Sequence, residues 1–141
     1  MRQLQQFCEE HRNIEREAAS LADAVSTAVP DAASVAVARW RLARLLFDHC
    51  TREDQLVYGR LAVSGDQEAT RIAWRYRQTY GTMMERFGVY IREWPVGRIL
   101  AEWVLFQRAT HEILALIEGR VAEEERELFP LARRIFLRDA A

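Results

Sequence analysis

The sequence contains no lysine. Its 20 basic residues are all arginine and stand against 21 acidic ones, for a net charge of −1. A near-neutral chain lacks the cationic surplus that phosphate neutralisation needs, so nucleic acid is excluded as a general partner. Cysteine is scarce, with two residues, which excludes a disulfide scaffold and leads us to expect a reduced chain in the cytoplasm. No apolar run approaches the ~20 residues of a membrane span, so no membrane partner is expected. The opening residues MRQLQQFCEEH are polar and helical in pattern, unlike a leader. Breaks are also few: three prolines, six glycines and one asparagine. The 141 residues are 50% hydrophobic and 29% charged, which suits a single domain with a core that needs no staple.

Strand-like alternation is missing. Apolar residues instead recur at spacings of three and four in four long stretches. The first spans about residues 2–28 and carries Leu4, Phe7, Ile14, Ala18, Leu21 and Val25. Val29-Pro30-Asp31 ends it, because proline suits the first turn of a new helix and not the interior of an old one. The second spans about 32–62 and ends at Ser64-Gly65-Asp66, a glycine with a capping residue beside it. The third spans about 67–93, is rich in aromatics and stops before Pro95. The fourth spans about 97–128, with a helical tail after Pro130. This pattern predicts an all-α fold, an antiparallel up-down-up-down four-helix bundle.

Polar residues interrupt the inward stripes at a few places. His11 lies between Phe7 and Ile14. His49 and Glu53, four apart, project from one face of the second helix. Glu124 lies between Val121 and Leu128, with Arg120 one turn before it. A buried carboxylate needs a partner or a metal, and a histidine four residues from a glutamate can aim two ligands at one spot inside a bundle. His11 and His49 each lie ~19 residues from the first turn, so antiparallel neighbours bring them level. Glu124 fits this arithmetic if the fourth helix overhangs by some three turns or, as we favour, if residues about 95–102 form a short turn of their own. A weak repeat relates the two glutamates: H-x-x-x-E-D-x-x-V-Y from His49 answers R-x-x-x-E-E-x-x-L-F from Arg120. The level of Glu53 on the third helix falls near Tyr76 or Tyr80, and Cys8 flanks His11. We therefore expect Tyr80 and Cys8 to line the cluster. A thiolate from Cys8 or Cys50 would favour zinc over iron. His111 falls on the opposite face of the fourth helix from Arg120.

These residues resemble the hemerythrin-like family, the hemerythrin HHE cation-binding domain. His11 in EEHRNIE is similar to the family's first-helix histidine. His49-Cys-Thr-Arg-Glu53 resembles its second-helix motif, and Glu124-Glu125-Arg-Glu-Leu-Phe-Pro-Leu its fourth-helix ending. The resemblance spans about residues 7–132. It implies a metal site made by His11, His49, Glu53 and Glu124, with both glutamates at the bridging positions of a diiron centre. It also implies that half of that centre is lost. The third helix has no histidine, and Arg120 stands where the fourth-helix histidine would be.

The expected function is accordingly a metal-binding domain holding one ion, iron or zinc, or none. Dioxygen carriage would be lost, since it draws one electron from each of two irons. A metal- or redox-linked sensing or regulatory role follows from the resemblance alone. The alternative is a metal-free interaction module in which Arg120 pairs with Glu53 and Glu124. No nucleophile, base and orienting group stand in a recognisable arrangement, so no enzymatic activity is expected. A ferritin-type diiron oxidase is excluded because no E-x-x-H pair is present. A protein partner is unspecified, and the chain is expected to be a monomer or a homodimer.

Overall fold

In the computed structural model, which describes residues 2–141, every regular element is helical and no strand occurs among the described residues. The elements are α1 (Arg2–Ala24), α2 (Ala32–Glu53), a π-helical turn Asp54–Tyr58, α3 (Gly59–Ala62), α4 (Gln67–Tyr80), α5 (Met83–Glu93), α6 (Val96–Ala101), α7 (Trp103–Glu123), a second π turn Glu124–Leu128 and α8 (Phe129–Ala140). No helix among the described residues is long and apolar enough to cross a membrane.

Side-chain chemistry accounts for the breaks. α1 stops at Ala24, short of the expected 28. Beyond it, Ser26 Oγ donates to the carbonyl of Ala22 and Thr27 Oγ1 to that of Val29, hydroxyl bonds that compete with helix, and Pro30 follows. Asp31 caps α2 by accepting from the amides of Ala33 and Ser34, each at 3.2 Å. Asp66 caps α4 through the Ala69 amide at 2.9 Å, after Gly65 has taken a φ of 81° that only glycine adopts freely. The expected third helix is two pieces, because α4 ends at Tyr80. A Cβ on Gly81 would stand 2.4 Å from the Arg77 carbonyl oxygen, so the chain makes a close turn here that a side chain would obstruct. Residues 96–101 form the separate α6, and Pro130 sits in the first turn of α8, directly after the second π turn.

The apolar stripes meet in one core. Leu4, Phe7, Ile14 and Leu21 of α1 are buried, as are Val35, Leu42 and Leu46 of α2, Tyr76 of α4, Phe87 of α5 and Phe106 and Ile117 of α7. Tyr90 and Phe106 stack with centroids 5.9 Å apart and join α5 to α7. Gln107 Nε2 donates to the Val25 carbonyl at 2.7 Å, and Trp103 Nε1 to that of Thr27 at 3.0 Å, tying α7 to the end of α1.

The two π turns carry the link between fold and site. Each has its backbone bond five residues apart, from the Gly59 amide to the Asp54 carbonyl and from the Phe129 amide to the Glu124 carbonyl. Each begins within one residue of an inward glutamate. The weak repeat in the sequence thus corresponds to a repeated local distortion, of the kind that π turns often make at functional positions.

Candidate metal centre

His11 on α1, His49 and Glu53 on α2, and Glu124 at the start of the second π turn converge in the interior. One ligand atom from each lies within 4.8 Å of all the others. His11 Nε2 is 3.2 Å from Glu124 Oε1 and 3.7 Å from Glu53 Oε2, and His49 Nε2 is 3.1 Å from Glu53 Oε2. All four residues are buried, three of them completely. Phe129 stacks on the His11 ring, 5.4 Å between centroids, and Phe7 meets the His49 ring edge-on. These rings fix both imidazoles and keep water away from them.

The outer nitrogens of the two histidines are held alike. His11 Nδ1 lies 2.6 Å from Glu125 Oε2, and His49 Nδ1 lies 2.7 Å from Glu10 Oε1. A carboxylate beyond each ring calls for a proton on Nδ1 and leaves Nε2 as the nitrogen turned inward. Each carboxylate is anchored by an arginine nearer the surface, Arg12 for Glu125 and Arg52 for Glu10. Sequence reasoning missed Glu10 and Glu125. Glu10 immediately precedes His11, yet it serves the other histidine, and no spacing within one helix reveals that.

Arg120 lies on the far side of the glutamates. Its Nε donates to Glu124 Oε2 at 3.0 Å and its Nη2 to Glu53 Oε1 at 2.8 Å and Asp54 Oδ1 at 3.1 Å. Its Nη1 donates to the carbonyl of Tyr80 at 3.1 Å, at the last residue of α4. The interruption of the third helix thus supplies an acceptor for the guanidinium. Tyr58 O–H donates to Glu124 Oε2 at 2.5 Å, and its ring lies 5.2 Å from the guanidinium carbon. Each glutamate therefore gives one oxygen to Arg120 and turns the other toward the histidines.

Two expected neighbours stand elsewhere. Tyr80 reaches the site through its backbone carbonyl alone, since its hydroxyl donates to Glu123 at 2.9 Å. The phenol that touches the carboxylates is Tyr58, brought inward where the π turn shifts the phase of the helix. Cys8 is half-buried against the core and is not in the convergent group. Burial pushes its thiol up, and pushes that of Cys50 up to about 12, so neither is a ready thiolate.

The charges are tightly balanced. Burial works against ionised Glu53, but its contacts with His11 and His49 and the Arg120 charge hold it well below the usual carboxylate range. Burial and the Glu53 charge push Glu124 up to about 7. Burial opposes a charged His11, and its contacts with Glu124 and Glu53 overcome this and raise it to about 10. Burial also opposes the Arg120 charge, and Glu124 and Glu53 help to keep it fully protonated.

The residues fit a cation. His11 Nε2 and Glu124 Oε1 are buried without a hydrogen-bond partner, although they are 3.2 Å apart. Two such atoms facing each other are costly unless a proton or a metal ion lies between them. Two imidazole nitrogens and two carboxylate oxygens suit iron or zinc.

Comparison with known proteins agrees with this chemistry. The family model of the hemerythrin HHE cation-binding domain matches residues 3–132. A search of curated proteins and a search of solved structures each returned no match. The chain belongs to the hemerythrin HHE cation-binding domain family.

Proposed function

We propose that the protein binds one metal ion, iron or zinc, through His11, His49, Glu53 and Glu124, and that Arg120 supplies the charge of a second ion. The single observation that carries this reading is the pair of partnerless buried atoms, His11 Nε2 and Glu124 Oε1, aimed at one spot. The carboxylates behind both histidine rings support it, because they select the tautomer that ligates. Iron bound there would supply a one-electron redox couple, and zinc a fixed Lewis acid.

The surrounding residues orient the ligands and neutralise them. Glu10 and Glu125 hold the imidazoles, Phe7 and Phe129 exclude water, and Arg120 with Tyr58 occupies the outer oxygens of the glutamates. A site with one ion cannot take one electron from each of two irons, so dioxygen carriage is not its role. We assign it to metal- or redox-linked sensing or regulation within the cytoplasm, without catalysis. The same reading takes the rods as a single antiparallel up-down-up-down bundle. Its support is the meeting of His11, midway along α1, with His49 of α2, and of Gln107 of α7 with Val25, just past the end of α1.

A second reading is a metal-free interaction module, favoured by the contact of Arg120 with both glutamates. Elemental analysis of protein purified without chelator separates the two. About one iron or zinc per chain, lost in His11→Ala, supports the first. A chain with no metal, whose melting temperature is unmoved by added Fe2+ or Zn2+, overturns it in favour of the second.

A further inference from the structure

Tyrosines aside, the metal centre and Arg120 account for all but two of the buried polar or charged side chains among the described residues. The other two, Arg39 and Thr110, meet elsewhere in the core. Arg39 lies ten residues before His49 on α2, and Thr110 ten residues before Arg120 on α7, so both stand ~15 Å from the metal centre along the bundle. Tyr90 of α5 joins them. Its hydroxyl lies 2.8 Å from Thr110 Oγ1, and its ring centroid lies 5.6 Å from the Arg39 guanidinium carbon. The Phe106 ring lies 5.7 Å from the same carbon. Arg39 is only 8% exposed.

The two buried arginines are treated differently. Arg120 faces the carboxylates of Glu53, Asp54 and Glu124. Arg39 has no acidic partner among the described residues, and its one hydrogen bond there runs from Nη1 to the Trp94 carbonyl at 3.1 Å. Its Nε is buried with no partner at all. A buried cation left in this state is costly. The rings of Tyr90 and Phe106 attract it but neutralise no charge, and water would bring lone pairs without charge. With Nη1 spent, the open edge of the guanidinium is the one formed by Nε and Nη2. Its two parallel N–H bonds match the two oxygens of one carboxylate. In the bond between Tyr90 and Thr110 one hydroxyl donates, and the proton of the other is left over. Donors and positive charge are therefore in surplus at one buried spot. We propose that Arg39, with the hydroxyls of Tyr90 and Thr110, binds a small free carboxylate of about the size of formate, held side-on by Nε and Nη2. The low exposure of Arg39 admits an ion of that size and excludes a side chain of another protein.

The test follows the arginine Nε–H signals of the full chain by heteronuclear NMR during titration with sodium formate. Sodium gluconate, a carboxylate too large to enter, holds the ionic strength constant. Arg39→Met identifies the Arg39 signal by its loss. Formate is expected to move that signal saturably, with a dissociation constant in the millimolar range, and gluconate to leave it in place. Tyr90→Phe and Thr110→Val should each raise the dissociation constant at least about fivefold. Thermal melts give an independent readout. In gluconate Arg39→Met should melt no lower than the wild type, because it carries no uncompensated buried charge. Formate should raise the melting temperature of the wild type and not that of Arg39→Met. An Arg39 signal unmoved up to about 100 mM formate overturns the proposal. So does a stabilisation by formate that survives in Arg39→Met, or an Arg39→Met chain destabilised equally in both salts, which would assign the guanidinium to packing alone.

Discussion

Arg120 Nη2 donates to Glu53 Oε1 at 2.8 Å, across 67 residues of sequence. The same guanidinium holds Glu124, one turn away on its own helix, through Nε. Two carboxylates that would repel one another in a dry interior are thereby held close by a cation that cannot be deprotonated. The other oxygens of the same two glutamates remain free to serve an ion on the histidine side.

Removing that cation is expected to be costly. Arg120→Ala leaves Glu53 and Glu124 facing each other in the core and should lower unfolding free energy by about 3–5 kcal/mol, as for one partner of a buried ion pair. Urea denaturation measures it. An unchanged midpoint would show that the guanidinium is dispensable. Arg120→His replaces the charge with a neutral ligand beside both glutamates and should raise metal affinity, read by titration with Zn2+ or Fe2+.

The stability of the metal-free protein should fall as pH rises. His11, raised from 6.5 to about 10, contributes stability that is complete below pH 6.5 and is lost on passing through 10. Glu124 is an acid raised from 4.5 to about 7, so the folded state takes up protons there and also loses stability as pH climbs through that window. Glu53 acts oppositely, and its contribution is lost only in acid, below its usual range. Urea midpoints at pH 6 and pH 9 should therefore differ in favour of pH 6, and His11→Gln should shrink the difference. Metal binding competes with the same protons, so affinity for the ion should rise over that interval.

Glu10 and Glu125 should matter to the ion without touching it. Glu10→Gln or Glu125→Gln leaves a hydrogen-bonding group at Nδ1 but removes the charge that strengthens the ligand. Each is expected to weaken metal affinity by roughly 10- to 100-fold, measured by competition with a chromogenic chelator. Equal affinity in both variants and the wild type would show that the rings are oriented by Phe7 and Phe129 alone.

Tyr58→Phe removes the hydroxyl that donates to Glu124 while keeping the ring over Arg120. The loss should be about 1–3 kcal/mol, the cost of an unmet buried acceptor, seen as a lower urea midpoint with unchanged helicity. Tyr80→Phe, whose hydroxyl bonds only the half-buried Glu123, should cost less than Tyr58→Phe.

Much of the arrangement was legible in the chain itself, because helical periodicity is a local property. The stripes through Phe7, His11 and Ile14, and through Leu46, His49 and Glu53, state which face turns inward, and loop spacing brings the two histidines level. The caps at Asp31 and Asp66 and the helix starts after Pro30 and Pro95 follow from short-range chemistry of the same sort. Arg120 could be placed beside Glu124 because four residues on a helix make neighbours.

What the sequence could not decide depends on helix phase and on contacts between distant residues. A π turn inserts one residue into the backbone ladder. That sets Tyr58 against the carboxylates and leaves Tyr80 to contribute a carbonyl, where the count along an ideal third helix expected its side chain. Glu10 holds the histidine of the neighbouring helix, and Glu125 holds one 114 residues away, which only the packing of rods against one another could assign. Local rules set the inward faces. The angle and rotation at which those faces met, fixed by close packing of Phe7, Phe129 and Tyr58, decided which oxygen faced Arg120 and which faced the histidines.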